Sequence, residues 1–137
     1  MDALVFNWLI AGTDAHAKNY SLLIGARSQV RLAPLYDLCS ALPYPDIDQR
    51  RIKLAMKLGA TYQIHRVGPR DFEKLALELE LEPDRVVQRA RSLTQELLER
   101  LPAVIQRSQR KLPHRIVQQL VRGIEKHVER CADVLGQ

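Results

Sequence analysis

The sequence predicts a mainly helical fold with a small β-hairpin and one further short strand. From Pro69 onward, apolar residues recur at spacings of three and four in successive stripes, which indicates amphipathic helices. Before them, residues 20–32 contain two short apolar runs separated by a turn, which is typical of a hairpin. Residues 52–58 alternate apolar and polar side chains, as a strand with one buried face does.

A short buried helix is predicted at the start of the chain, over Ala3 to Ala11. Its apolar residues recur every three to four positions, and Gly12 ends the run. The run is far shorter than the roughly 20 residues of a membrane span. It also follows the acidic Asp2 and lacks the basic segment that opens a signal peptide. We therefore expect neither membrane insertion nor secretion.

Length and cysteine usage predict one domain over residues 1–137, in a reducing cytoplasm. The chain has 137 residues, of which 46% are apolar and 27% charged, as in a globular protein. Cys39 and Cys131 lie far apart and have no His or Cys at metal-ligand spacing, which argues against a zinc site and a disulfide scaffold. No internal repeat or long linker marks a second domain.

The middle of the chain is predicted to alternate short strands with turns. The hairpin is expected from Tyr20–Ile24 and Val30–Leu32. The further strand is expected over Ile52–Leu58 and ends at Gly59. Between them, Leu35–Pro45 is predicted as a loop or a short helix.

Three helical stripes follow, and we expect them to face the core. Pro102 is predicted to kink or end the second helix, and Pro113 to precede the third. The stripes consist of Phe72, Leu75, Ala76 and Leu79; of Val86, Ala90, Leu93, Leu97 and Leu101; and of Ile116, Leu120, Ile124, Val128 and Leu135.

The net charge of +5 belongs to the C-terminal part of the chain. Residues 1–84 carry 10 Lys and Arg against 11 Asp and Glu, whereas residues 85–137 carry 11 against 5. Solvated faces of long helices explain such a bias, and so does attraction to an acidic protein or nucleic acid. The basic residues that could face such a partner include Arg85, Arg89, Arg91, Arg107, Arg110, Lys111 and Arg115.

The segment from Gly12 to Asn19 holds an acid, an imidazole, an ammonium and an amide between an apolar helix and an apolar strand. So tight a polar group is either a well-capped turn or a functional site. Beyond the hairpin, 18 residues after Asn19, Asp37 again lies between apolar residues. If the hairpin folds back, Asn19 and Asp37 meet at one end of it. Amide and carboxylate oxygens are hard ligands that suit Mg²⁺, with waters and substrate phosphates completing its shell.

This spacing is typical of phosphoryl transfer by kinases. A catalytic-loop Asp is followed by an Asn five residues later, a hairpin, and a second metal-binding Asp. Asp14 would then accept or orient the proton of the acceptor hydroxyl. His16 and Lys18 could contact phosphate oxygens. Equally, His16 could be a hydrogen-bond partner within the loop and Lys18 could be solvated.

Three motifs in order resemble HipA-type serine/threonine kinases, the toxins of bacterial toxin–antitoxin modules. They lie within residues 3–59 and consist of Thr-Asp-Ala-His-Ala-Lys-Asn, Leu-Ala-Pro-Leu-Tyr-Asp-Leu and Lys-Leu-Ala-Met-Lys-Leu-Gly. Phosphoinositide-type lipid kinases share the Asp-x-His-x-x-Asn loop, but Tyr-Asp-Leu and the Ala-Met strand favour the HipA type. Leu38-Cys39 replaces the usual Phe-Gly, so a flip of the Asp-Phe-Gly kind is not assumed.

The resemblance implies a helical kinase-like C-lobe. By position, it makes Asp14 the catalytic aspartate, Asn19 and Asp37 the magnesium ligands, and His16 and Lys18 neighbours of the phosphates. It also implies Mg²⁺ and ATP as cofactors, a protein substrate, and a DNA-binding antitoxin of the HipB type as partner.

The nucleotide-clamping elements of a kinase are not found in the sequence. Only 13 residues precede Asp14, and no Gly-x-Gly-x-x-Gly occurs. We therefore expect a C-lobe without its N-lobe, completed in cis or in trans, that alone binds ATP weakly and transfers phosphate negligibly. Apolar surface left open by the missing lobe would favour a homo-oligomer.

The alternative function comes from a different class. The chain would be a non-catalytic helical interaction module that binds an acidic protein or nucleic acid through its basic C-terminal helices. Asp14, Asn19 and Asp37 would then be relics.

Overall fold

The structure, a computed structural model, describes residues 1–44, 46–111 and 115–136, without the side chains of residues 49 and 109–111. It is mainly helical and carries two small antiparallel sheets. Pro45 and Pro113, predicted as loop and boundary residues, fall outside the described residues, as do the side chains of Arg110 and Lys111. The elements in chain order are α1 (Asp2–Leu9), β1 (Leu22–Ile24), β2 (Val30–Leu32), β3 (Lys53–Leu58), β4 (Thr61–Gln63), α2 (Pro69–Glu78), α3 (Pro83–Lys111) and α4 (Arg115–Gly136).

The predicted hairpin is present, and the predicted single strand belongs to a second hairpin. β1 pairs with β2 in the register Leu22 to Leu32 and Ile24 to Val30. β3 pairs with β4, which the sequence did not predict because three residues are too few to show a period. Gly59 lies in the tight turn between them at φ +56°, a conformation that favours glycine.

The core forms where α1 lies against α3 and α4. Trp8 and Phe72 are almost completely buried and meet edge to face, with ring centroids 5.2 Å apart. The indole Nε1 of Trp8 donates to the Ile64 carbonyl at 3.2 Å, which joins α1 to the segment after β4. The predicted mainly helical fold is therefore organised around the N-terminal helix.

Most of the three helical stripes face this core, with exceptions at helix ends. Val86, Ala90 and Leu101 are buried on α3. Leu79 is 49% exposed because it lies just beyond the end of α2, and Ile116 is 41% exposed in the first turn of α4.

Pro102 does not end the helix that was predicted around it. α3 runs through Pro102 as one helix. Proline removes one intrahelical hydrogen bond, and the packing of α3 along α4 offsets that cost. Of the helices in the described ranges, none combines the length and the apolar character that a bilayer crossing requires.

Long-range contacts hold α1 in place. His127 on α4 is buried, and its Nε2 lies 2.9 Å from the Trp8 carbonyl, which can only accept a hydrogen bond. On the surface, Arg89 pairs with Asp2 at 2.6 Å and with Glu96 at 3.2 Å. Both ends of α1 are thus anchored, and its C-terminal end leads directly into the predicted site.

Candidate active site

The polar loop of residues 12–20 begins with an abrupt end to α1. Ala11 has φ +52°, and the Gly12 amide donates back to the Asn7 carbonyl at 2.7 Å. A 3₁₀ turn over Ala17–Asn19 then closes the loop, and the Asn19 amide donates to the His16 carbonyl at 2.9 Å. Backbone hydrogen bonds thus fix the start and the end of the loop.

Asn19 lies at the centre of the candidate site. It is buried, and its amide nitrogen Nδ2 donates to the Asp14 carbonyl at 3.0 Å. The same nitrogen lies 3.4 Å from the carboxylate oxygen Oδ2 of Asp37. Asn19 thus connects the loop to the irregular segment that follows the hairpin. With Nδ2 engaged on both sides, Oδ1 is the atom of this side chain that can face a cation.

Asp37 adopts a left-handed backbone conformation, with φ +56°. Aspartate tolerates this region better than most residues, but it still carries strain there. Such strain concentrates at functional sites, where the surrounding structure holds the side chain in one direction. The Cys39 thiol also lies 3.8 Å from Oδ1 of Asp37, so both carboxylate oxygens have near neighbours.

Hydrogen bonds on both sides of Asp37 tie its segment to the loop. The Tyr36 hydroxyl donates to the Lys18 carbonyl at 2.7 Å. The Ala41 amide donates to the Ala11 carbonyl at 3.1 Å. These bonds bring Asn19 and Asp37 to the same end of the β1–β2 hairpin, as their spacing indicated. Their role as metal ligands stays a prediction.

Asp14, the predicted catalytic aspartate, lies at the open edge of this arrangement. Its side chain is 71% exposed, and its carboxylate oxygen Oδ1 lies 3.8 Å from Nε2 of His16. The distance is too long for a hydrogen bond, so the role of His16 stays a prediction. Lys18 engages Tyr36 through its carbonyl, while its side chain is exposed.

The donor set of the site fits Mg²⁺. Asn19 and Asp37 offer hard oxygen atoms, and two protein ligands with phosphates and waters are a usual magnesium environment. In the ranges that the structure describes, no group of three or more His, Cys, Asp or Glu residues could hold a metal ion. A site of this kind would therefore depend on the phosphates of its substrate to complete the metal shell.

The candidate site is an open surface. Two grooves along α3 are larger than the pocket beside the loop, and Glu73 of α2, Arg85 and Arg91 contribute to their walls. Groove size alone would thus point away from the loop. The convergence of an amide, a carboxylate and a strained backbone is what identifies the candidate site.

Sequence reasoning missed several residues that build the site. Tyr36 was quoted only as part of a motif, although its hydroxyl ties the two halves of the site together. The sequence patterns assigned no role to Asn7, yet it is buried against the loop. A polar residue inside an otherwise apolar helix is the signal that could have found it.

Comparison with protein families gives a match over most of the chain. Residues 1–105 match the family described as the HipA-like C-terminal domain. Two relatives from Sinorhizobium fredii, each bearing the name "Putative kinase", are 35% identical over 78 residues and 33% identical over 110 residues. These alignments cover 57% and 80% of this chain but only 18% and 25% of the relatives.

A solved structure shows the same fold. HipA in a complex from Shewanella oneidensis MR-1, titled a toxin–antitoxin system of HipA, HipB and its operator DNA, matches with a TM-score of 0.78 at 23% identity. The match covers 98% of this chain and 30% of that chain. The predicted resemblance is confirmed: this chain belongs to the family of HipA-like C-terminal domains.

Proposed function

We propose that residues 1–137 form one domain, the catalytic C-lobe of a HipA-type serine/threonine protein kinase. It would transfer a phosphoryl group from Mg-ATP to a hydroxyl of a protein substrate. The observation that carries the proposal is the Asn19 side chain, whose Nδ2 bridges the Asp14 carbonyl and the Asp37 carboxylate. One amide thereby links the candidate catalytic and metal-binding positions.

The residues divide the work by their position. Asn19 and Asp37 would hold Mg²⁺, which neutralises charge on the phosphates when bound. Asp14 is exposed, so a hydroxyl on a macromolecule can approach its carboxylate, which would orient that hydroxyl and accept its proton. His16 and Lys18 lie in the same loop and would contact phosphate oxygens with N–H donors.

Exposed apolar side chains next to the site support a nucleotide partner and a second lobe. The β1–β2 hairpin exposes Leu22, Ile24 and Val30 by 59% or more. A nucleobase presents an apolar face, and a packed lobe buries apolar area, so either would cover side chains of this kind. Without such cover, the same surface favours association between copies of the chain.

Residues 1–137 in isolation are expected to bind ATP weakly and to transfer phosphate negligibly. The glycine-rich loop and paired strand lysine of kinases are not found in this sequence. Both S. fredii relatives are several times longer than the matched region. We infer that such elements act with this lobe from the same or another polypeptide.

A HipB-type antitoxin is the partner that the family suggests. The structural relative from S. oneidensis is titled a complex of HipA with HipB and operator DNA. We propose the same kind of partner for this chain. A cytoplasmic location of the protein accords with a DNA-binding partner.

A titration with Mg²⁺ in the presence of an ATP analogue tests the proposal. The N-terminal portion of one of the S. fredii relatives is added in trans to supply the missing elements. We expect analogue binding that requires Mg²⁺ and that is lost in Asp37→Ala. Asp46→Ala, a change in a charged turn outside the site, is the matched control and should bind like the parent chain.

The same experiment separates the kinase from the non-catalytic interaction module. DNA binding that falls steeply with salt and is indifferent to Asp37 would favour the module. Phosphate transfer by residues 1–137 alone that disappears in Asp14→Ala would contradict the expected inactivity of the isolated lobe.

A further inference from the structure

A buried asparagine interrupts the apolar face of α1 just before the loop of residues 12–20. Asn7 is only 4% exposed and lies among Val5, Trp8 and Leu9, which are 1% exposed or less. Asparagine is a poor helix former, and a buried amide is costly unless its hydrogen bonds are made. A leucine would suit both the helix and the core better, so a local requirement must favour the amide.

The side chain of Asn7 is only partly satisfied. Its Nδ2 donates to the Ala3 carbonyl at 2.9 Å, and only a donor can face that oxygen. This contact orients the amide, so that Oδ1 is the atom that faces Gly12. In the part of the chain that the structure describes, Oδ1 has no hydrogen-bond partner. Burying an unsatisfied oxygen lowers stability, which is a pattern found at functional positions.

Asn7 contacts both ends of the loop. At the first end, the backbone carbonyl of Asn7 accepts a hydrogen bond from the Gly12 amide at 2.7 Å. The side chain is also close there, since a Cβ at Gly12 would lie 2.5 Å from Oδ1 of Asn7. At the other end, Nδ2 donates to the Tyr20 hydroxyl at 3.3 Å. Every candidate residue of the loop, from Asp14 to Asn19, lies between these two contacts.

We propose that Asn7 and Tyr20 are positioning residues that hold the loop of residues 12–20 in the shape that presents Asp14 and Asn19. The use of that shape in catalysis rests on the proposed function. The contacts of Asn7 with Gly12 and Tyr20, called the clamp below, belong to the fold itself. Tyr20 follows Asn19 directly, so a shift of the Tyr20 ring moves the backbone of the candidate magnesium ligand. Gly12 must remain without a side chain, because any Cβ there would displace the Asn7 amide.

Tyr20→Phe is the decisive variant, because it removes one hydroxyl and keeps the ring. Amide hydrogen exchange of residues 12–20 is expected to rise roughly two- to tenfold, the range for loss of one net hydrogen bond. Exchange in α3 should stay unchanged. Tyr62→Phe, on an exposed tyrosine of β4, is the matched control and should leave the loop as it is.

Asn7→Leu and Gly12→Ala disturb the clamp at Asn7. The first removes the amide that donates to Tyr20, and the second places a Cβ against that amide. Both should increase loop exchange at least as much as Tyr20→Phe. If the Tyr20→Phe loop exchanges like the parent loop, the clamp does not exist. If exchange rises equally in the loop and in α3, the two residues serve general stability and the proposal is overturned.

Mn²⁺ serves as a second, spectroscopic probe of the loop. In the parent chain mixed with the ATP analogue and the added N-terminal portion, which supply the phosphates, Mn²⁺ should broaden the side-chain amide signal of Asn19 in ¹⁵N NMR spectra before other signals. Tyr20→Phe should need roughly two- to tenfold more Mn²⁺ for the same broadening. An identical titration for Tyr20→Phe and Tyr62→Phe would contradict the positioning role.

The two probes keep this inference separate from the proposed function. If the parent chain shows no Mn²⁺ broadening at Asn19, the metal site of the proposed function fails. Hydrogen exchange then still decides whether Asn7 and Tyr20 clamp the loop.

Discussion

The two β-hairpins of this molecule have very different surroundings. In the β3–β4 hairpin, Leu54 and Leu58 point into the core and are 8% and 2% exposed. In the β1–β2 hairpin, both strands are exposed along their whole length, and Ile24 is 78% exposed. The hairpin next to the candidate site therefore contributes little to the core. Its apolar side chains are therefore open to contacts other than those within this lobe.

The largest expected effect contrasts one apolar residue from each hairpin. Leu58→Ala should lower the free energy of unfolding by about 2–5 kcal/mol, because it leaves a cavity in the core. Ile24→Ala should change it by no more than about 0.5 kcal/mol, because the side chain is already in water. Chemical denaturation of both variants measures the difference. Equal losses would show that the β1–β2 hairpin is packed in solution.

A smaller effect is expected where the core hairpin meets α2. The Asp71 carboxylate accepts from the Ala60 amide at 2.9 Å and from the Gly68 amide at 3.0 Å. It therefore caps α2 and closes the β3–β4 turn at once. Asp71→Ala should cost about 1–2 kcal/mol of unfolding free energy. Glu73→Ala, two residues further along the same helix, is the matched control. A cost as large as that of Asp71→Ala would contradict the capping role.

The stability of the core around His127 should also depend on pH. Burial lowers the pKa of His127 below its ordinary value of 6.5. The unfolded chain therefore binds a proton at a pH where the folded protein does not, so stability falls as the pH drops below about 6.5 and continues to fall until the folded pKa is reached. Denaturation midpoints between pH 7.5 and 5 measure this loss. In His127→Gln, which keeps an N–H donor but does not titrate, the slope should be smaller; an unchanged slope would assign it to other groups.

The smallest effect on stability is expected at Tyr36, which follows the β1–β2 hairpin. Tyr36→Phe removes the hydrogen bond to the Lys18 carbonyl that ties the two halves of the site together. Because Tyr36 is 49% exposed, the free energy of unfolding should fall by about 1 kcal/mol or less. The apparent affinity for Mn²⁺ should nevertheless weaken roughly two- to tenfold. Denaturation and Mn²⁺ titration of the same sample give both quantities, and a large stability loss with unchanged Mn²⁺ binding would contradict this role.

The part of the fold that sequence predicted well is the part governed by local patterns. The stripes from Phe72 to Leu135 and the alternation over residues 52–58 depend on nearest neighbours along one helix or strand. β4 was missed because three residues cannot show a period. Continuation of α3 through Pro102 was undecided because it depends on packing along α4.

The candidate site was predictable as a set of residues but not as a geometry. The spacing of Asp14, Asn19 and Asp37 and the three motifs named the positions. No spacing rule indicated that Tyr36 would bond across the site or that Asn7 would reach both ends of the loop. The Asn7–Tyr20 and Tyr36–Lys18 contacts join residues 13 and 18 positions apart, and their partners are settled only when the chain folds back on itself.

The sequence by itself determined the helical class, the order of the elements other than β4, and the family, because periodicity and motif order are written along the chain. Only the tertiary structure decided that the apolar β1–β2 hairpin stays outside the core. It also decided that the Asn19 amide bridges Asp14 and Asp37. The reason is physical: burial and cross-chain hydrogen bonds depend on which distant segments share a volume, and local propensity carries no information about that.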